Sequence, residues 1–269
     1  TMELTPGEQL GFEGLNALQT SDGTIFYVKR ECNGDDELIY ALSNGQIVTT
    51  AKSWEGDIDK YDAFGDAIYF LTYSQKIYKA TFHSPAEIRV EFLRSVDKLE
   101  THEVGMLFSR IANGRKLVYR ACDHPTKGIP LNLEDVENNN SEYLEIAAVL
   151  RGHVIMQEEV EEDERLSVRK LNKNVVTIET PIRISSIFAN EDSPLIYLLT
   201  DKRQITVLNT ETMKYASLTL SCPNTDAKDL SFWNIVGIHG NKITMWGKRA
   251  GSTSLFTAEI SEESFIAFS

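Results

Sequence analysis

The sequence predicts an all-β chain built by repeating one small sheet. Three observations carry this. Short apolar runs recur every 40–50 residues or so. Clusters of turn-forming residues punctuate them. The run Ile68-Tyr69-Phe70-Leu71 is continuously apolar, as expected of a strand covered on both faces.

The stretch Gly65–Phe82 shows the plan: a strand, the turn residues Thr72–Lys76, then a strand with Tyr78, Ala80 and Phe82 on one face. Taking the apolar run of each expected second strand as a marker gives Ile25–Val28, Ile68–Leu71, Leu117–Tyr119, Val154–Met156, Ile196–Leu199 and Ile243–Trp246. By residue number, their first residues lie 43, 49, 37, 42 and 47 positions apart. That period is the length of a four-stranded propeller blade, and six markers predict six blades.

In the first unit Ser43-Asn44-Gly45-Gln46 reads as a hairpin, because Asn and Gly tolerate positive φ. In the second, Ile88–Phe92 is the expected outer strand, although Ile88, Phe92, Val96 and Leu99 also fit a helical stripe. The third is irregular. Asp123–Gly128 and the polar Glu134–Ser141 read as loops, and the blade is expected to lack its outer strand. The fourth packs Tyr143–Leu150, Val154–Met156, Leu166–Leu171 and Val175–Ile178. The fifth is the most regular: Arg183–Ala189 inside, then Leu195–Thr200, Ile205–Leu208 and the alternating outer Tyr215–Leu220. The sixth begins at Ser231-Phe232-Trp233 and is expected to end at Phe265–Phe268.

One small sheet with two apolar faces cannot stand alone in water, and neighbours stacked around an axis would cover it. The expected organisation is an N-terminal segment, residues 1–14, whose Gln9–Phe12 closes the ring, followed by a propeller over residues 15–269. The alternative all-β arrangement is two packed sandwiches. Repeat length and strand plan over nearly the whole chain make it resemble the WD40-like β-propeller superfamily. It has no Trp-Asp dipeptide, and Gly152-His153 is its one Gly-His pair. The resemblance implies a rigid, loop-faced disc of the kind used as a docking platform.

The chain has 269 residues, is 42% hydrophobic, and has a formal net charge of −13. Between Glu134 and Glu164 stand eleven acids against one base, Arg151, so this segment holds ten of the thirteen excess negative charges. Such a chain repels a phosphate backbone, which argues against a nucleic-acid partner. No apolar run approaches the roughly 18 residues that would argue for a membrane span. The first residues lack the basic start and apolar core of a signal peptide. Cys32, Cys122 and Cys222 are odd in number and far apart, which suggests free thiols, no CxxC metal site and a cytoplasmic or nuclear location.

Catalytic signatures are absent. His83, His102, His124, His153 and His239 form neither HExxH nor a Cys/His cluster, and no Gly-x-Ser-x-Gly, Walker or Rossmann glycine pattern occurs. No cofactor or metal is expected. The sharpest local feature is the acidic hairpin of Glu158, Glu159, Glu161, Glu162 and Asp163. It reads either as a solvated tip guarding a sheet edge or as a dock for a Lys/Arg-rich segment. Trp233 and Trp246 fall in strand patterns and are expected in the core, whereas Trp54 is expected to be partly exposed and able to anchor a partner. The leading expectation is a non-catalytic protein-interaction module. An enzyme with loop carboxylates and histidines at the propeller axis is the alternative, and self-assembly is a third reading.

Overall fold

In a computed structural model, the described backbone comprises residues 2–7, 17–30, 37–83, 86–102, 106–123, 129–131, 143–150, 153–160, 163–170, 175–181, 185–189, 192–201 and 203–260. Over 129–181 it is the backbone alone that is described.

Two short N-terminal strands, β1 (Met2–Glu3) and β2 (Thr5–Pro6), precede the repeats. The first sheet is β3 (Leu18–Gln19), β4 (Ile25–Arg30), β5 (Glu37–Ser43) and β6 (Gln46–Thr50). The second is β7 (Ile58–Phe64), β8 (Ala67–Thr72), β9 (Lys76–His83) and β10 (Glu87–Ser95). The third is β11 (Thr101–His102), β12 (Leu107–Ala112), β13 (Arg115–Arg120) and β14 (Ile129–Leu131). The fourth is β15 (Tyr143–Leu150), β16 (His153–Val160), β17 (Asp163–Lys170) and β18 (Val175–Pro181). The fifth is β19 (Ser186–Ala189), β20 (Leu195–Asp201), β21 (Gln204–Asn209) and β22 (Tyr215–Ser221). The last is β23 (Leu230–His239), β24 (Lys242–Arg249) and β25 (Ser252–Glu259). Small meanders of this kind, not two large facing sheets, make up the described chain.

The local signals act as expected. Asn44 (φ 48°) and Gly45 (φ 76°) turn β5 into β6. Tyr215–Ser221 alternates between exposed and more buried positions, as an outer strand should. Glu87–Ser95 is a strand, which decides against the helical stripe. The central strands β8, β21 and β24 bury consecutive residues, because both faces of their sheets are covered.

Two expectations for the third sheet are corrected. Leu117–Tyr119 lies in the third strand of its sheet; the second strand is Leu107–Ala112. Measured from Leu107, the spacings of 49 and 37 become 39 and 47, so the period is more even than the sequence suggested. The outer strand is also present: Ile129–Leu131 pairs with Lys116–Val118. It was hard to see because it is three residues long and contains Pro130.

The chain divides into two compact units, one of residues 1–52, 82–88 and 184–269, the other of 53–81 and 89–183. In the first unit, the fifth and last sheets share a core that includes Leu199, Ile205, Val207, Phe232, Met245 and Phe256. A second cluster joins the last and first sheets through Ile25, Tyr27, Val236, Trp246 and Leu255. Asn234, buried in β23, donates to the Ala17 carbonyl at 2.8 Å, and Ile235 N–H donates to Ser186 Oγ at 3.1 Å. In the second unit, Leu71, Ile77, Phe108 and Tyr119 form the core shared by the second and third sheets. Each such fully buried large aliphatic or Phe side chain contributes about 1.5–3 kcal/mol.

The N-terminus completes the edges of two sheets. Thr5 and Pro6 pair antiparallel with Thr257 and Phe256, giving the last sheet its fourth, outer strand. Met2 and Glu3 pair parallel with Leu220 and Ser221, adding a fifth strand to the fifth sheet. Leu4, between them, is fully buried and its N–H donates to the Ser221 carbonyl at 2.8 Å. Gln9–Phe12 and Phe265–Phe268, which the sequence assigned to these edges, lie outside the described residues.

Candidate docking surface

The acidic hairpin connects the second and third strands of the fourth sheet. Glu158 and Glu159 lie on β16 and Asp163 on β17, with Val160 opposite Asp163, Glu159 opposite Glu164 and Glu158 opposite Arg165. Glu161 and Glu162, between the two strands in sequence, lie outside the described residues. Because successive strand positions alternate between faces, positions 158 and 159 belong to opposite faces of the sheet. The register therefore divides the acids: 159 and 164 on one face, 158 and 163 with Arg165 on the other.

Trp54 is not the partly exposed anchor the sequence suggested. It is 4% exposed and packs edge-on against Phe70, ring centroids 5.4 Å apart. The cause is the loop that follows. Gly56 takes φ +79°, and a Cβ there would collide with Ser74. Glu55 N–H donates to Tyr78 Oη at 3.0 Å, and Tyr73 N–H donates to the Asp57 carbonyl at 2.9 Å. The loop is thus folded down onto the β8–β9 hairpin, taking the indole with it.

Trp54 begins an aromatic row that crosses the second sheet. Phe70 stacks on Tyr78 at 5.3 Å, and Tyr78 meets Phe92 edge-on at 5.5 Å. The row ends on the outer strand β10, where Phe92 is 52% exposed beneath the Lys76 ammonium, 5.9 Å from the ring centroid. Exposed Leu93 follows it in the chain, and Leu99 is exposed just beyond the strand. The sequence placed Ile88, Val90 and Phe92 on one face of an outer strand. Alternation in β10 was legible, but the exposure of Phe92 was not. Trp246 is fully buried with Trp233 against it at 5.8 Å, as expected.

Among the described residues, no group of three or more His, Cys, Asp or Glu could hold a metal ion. His239 is exposed at the end of β23, near Gly23 of the β3–β4 turn; His124 lies outside the described residues. Cys222 is buried and Cys122 partly buried, both as free thiols. Asp62, on β7, is displaced. Solvent reaches its side chain, yet the protein packed around it withholds full hydration. That desolvation pushes the carboxyl up to about 6, against a hydrogen bond from the Ala63 N–H. Burial likewise pushes the Tyr69 and Tyr197 hydroxyls up to about 12.

No family model and no curated protein matches the chain. Solved structures do. The WD40 domain of Toxoplasma gondii coronin superposes with a TM-score of 0.51 at 8% identity, covering 96% of this chain and 84% of that one. The RRP9 WD40 repeats give 0.50 at 10%, covering 91% and 79%. Chaetomium thermophilum Raptor gives 0.51 at 10%, covering 96% of this chain, which spans 29% of Raptor. At such identities the likeness shows the fold alone, an all-β fold of the β-propeller kind.

Proposed function

We propose that this chain is a non-catalytic docking platform that captures a protein or peptide partner rich in Lys and Arg. In this reading the sheets are six blades of a single ring that residues 1–14 close, working in the cytoplasm or nucleus. The observation that carries it is the β16–β17 hairpin. Strands β16 and β17 pair with Val160 opposite Asp163, and the sequence sets Glu158, Glu159, Glu161, Glu162 and Asp163 within six positions of the chain there. A tip with one sign of charge draws a basic segment in and rejects acidic competitors. Placement of acids on both faces of the hairpin suits a flexible segment that wraps the tip better than a flat one. Trp54 is left out of the proposal, because its ring is core.

The test is titration calorimetry with a Lys/Arg-rich peptide against the native chain and against a variant carrying Glu158→Lys, Glu159→Lys, Glu161→Lys and Glu162→Lys. Affinity is expected to fall at least about tenfold, since like charges at an interface cost several kcal/mol, with the far-ultraviolet spectrum retained. Equal binding by both proteins refutes the acidic hairpin as the dock.

A further inference from the structure

The geometry points to β10 as an edge that pairs with β10 of a second copy of this chain, antiparallel about a two-fold axis through Val90. This surface is separate from the acidic hairpin and does not depend on it.

Two outer strands are already occupied: β22 by β1 and β25 by β2. The first of these shows that a sheet of this protein accepts a fifth strand. The β10 strand, Glu87–Ser95, is nine residues long and stands at the edge of its sheet. A strand edge presents a row of backbone donors and acceptors, and proteins usually blunt it with charges or bulges. Here the exposed charges alternate in sign, Glu87, Arg89, Glu91, and exposed Phe92 and Leu93 follow. A run of one sign would repel a second copy. An alternating run does so in some registers only.

The registers can be compared. In an antiparallel pair, directly opposed residues either both turn their backbone groups toward the seam or both turn them away, so a two-fold axis passes through a residue position. With the axis at Glu91, that carboxylate faces itself. At Arg89, the guanidinium faces itself and Glu87 faces Glu91. With the axis at Val90, Arg89 lies opposite Glu91 of the partner subunit, and Glu91 opposite Arg89 of the partner subunit. Ile88 and Phe92 then oppose each other twice, on the other face. Charge and apolar pattern select the same register, and seven residues, 87–93, overlap. The Trp54–Phe70–Tyr78–Phe92 row holds the apolar half of the seam in place before any contact is made.

Sedimentation equilibrium of the whole chain tests this. The native chain is expected to dimerise reversibly and weakly, because one strand pair is smaller than a standard interface. Arg89→Glu alone and Glu91→Arg alone each place like charges opposite one another twice, and each should raise the dissociation constant at least about tenfold. The double variant Arg89→Glu/Glu91→Arg restores both opposite-sign pairs and should restore the dimer. Circular dichroism confirms that each variant is folded. A native chain that is monomeric at every concentration overturns the proposal. So does a dimer that neither single reversal weakens, or a folded double variant that stays monomeric.

Discussion

Gly56 holds the loop after Trp54 in a left-handed conformation. Its positive φ and its contact with the Ser74 hydroxyl leave no room for a Cβ. We expect Gly56→Ala to cost about 1–3 kcal/mol in urea unfolding, from left-handed strain plus displacement of the hairpin. It should also raise Trp54 fluorescence quenching by acrylamide, since the loop keeps the indole from water. Asp62 supplies a pH-dependent counterpart. Its folded carboxyl titrates near 6 against 3.8 for the ordinary group, so between those values the folded state binds more protons than the unfolded one. Stability contributed by this group therefore falls as pH rises from about 4 to about 6. Asp62→Asn should flatten that part of the profile and leave the chain more stable than native above pH 6, as read by denaturant midpoints at fixed pH steps. A native profile with no slope in that window would show that solvent hydrates Asp62 fully.

At the scale of elements, outer strands decide how each sheet ends. The N-terminal segment matters because it covers two such ends and buries Met2 and Leu4 as it passes. Deleting residues 1–6 should cost about 3–6 kcal/mol from those two side chains and leave the edges of β22 and β25 open to aggregation. Urea unfolding and light scattering read the two effects. Unchanged stability would mean that the segment is an ornament and not part of the fold. Strand interiors were legible in the sequence, because apolar runs and turn residues act over a few positions. The third sheet was misnumbered because β11 has two residues and β14 three, too few to show a period.

For the whole molecule, charge is the property that composition could place. Ten of thirteen excess negative charges fall between Glu134 and Glu164, so capture of a basic partner should weaken as salt rises, within a Debye length of about 8–10 Å near physiological ionic strength. Binding that is indifferent to salt would separate partner capture from that segment. The acids were visible as a cluster from the residues alone. Their division between two faces was not, because it depends on which residue of β17 stands opposite which of β16.

The sequence by itself determined that the chain is β, where most strands lie, and which turns join them, since these follow from the two-residue period and from backbone preferences of Gly, Asn and Pro. Only the tertiary structure decided that Trp54 is core, that Phe92 faces water, and that residues 2–6 edge sheets more than 200 positions away. Those outcomes depend on what covers a surface, and a residue carries no local mark of the neighbour that will or will not arrive to cover it.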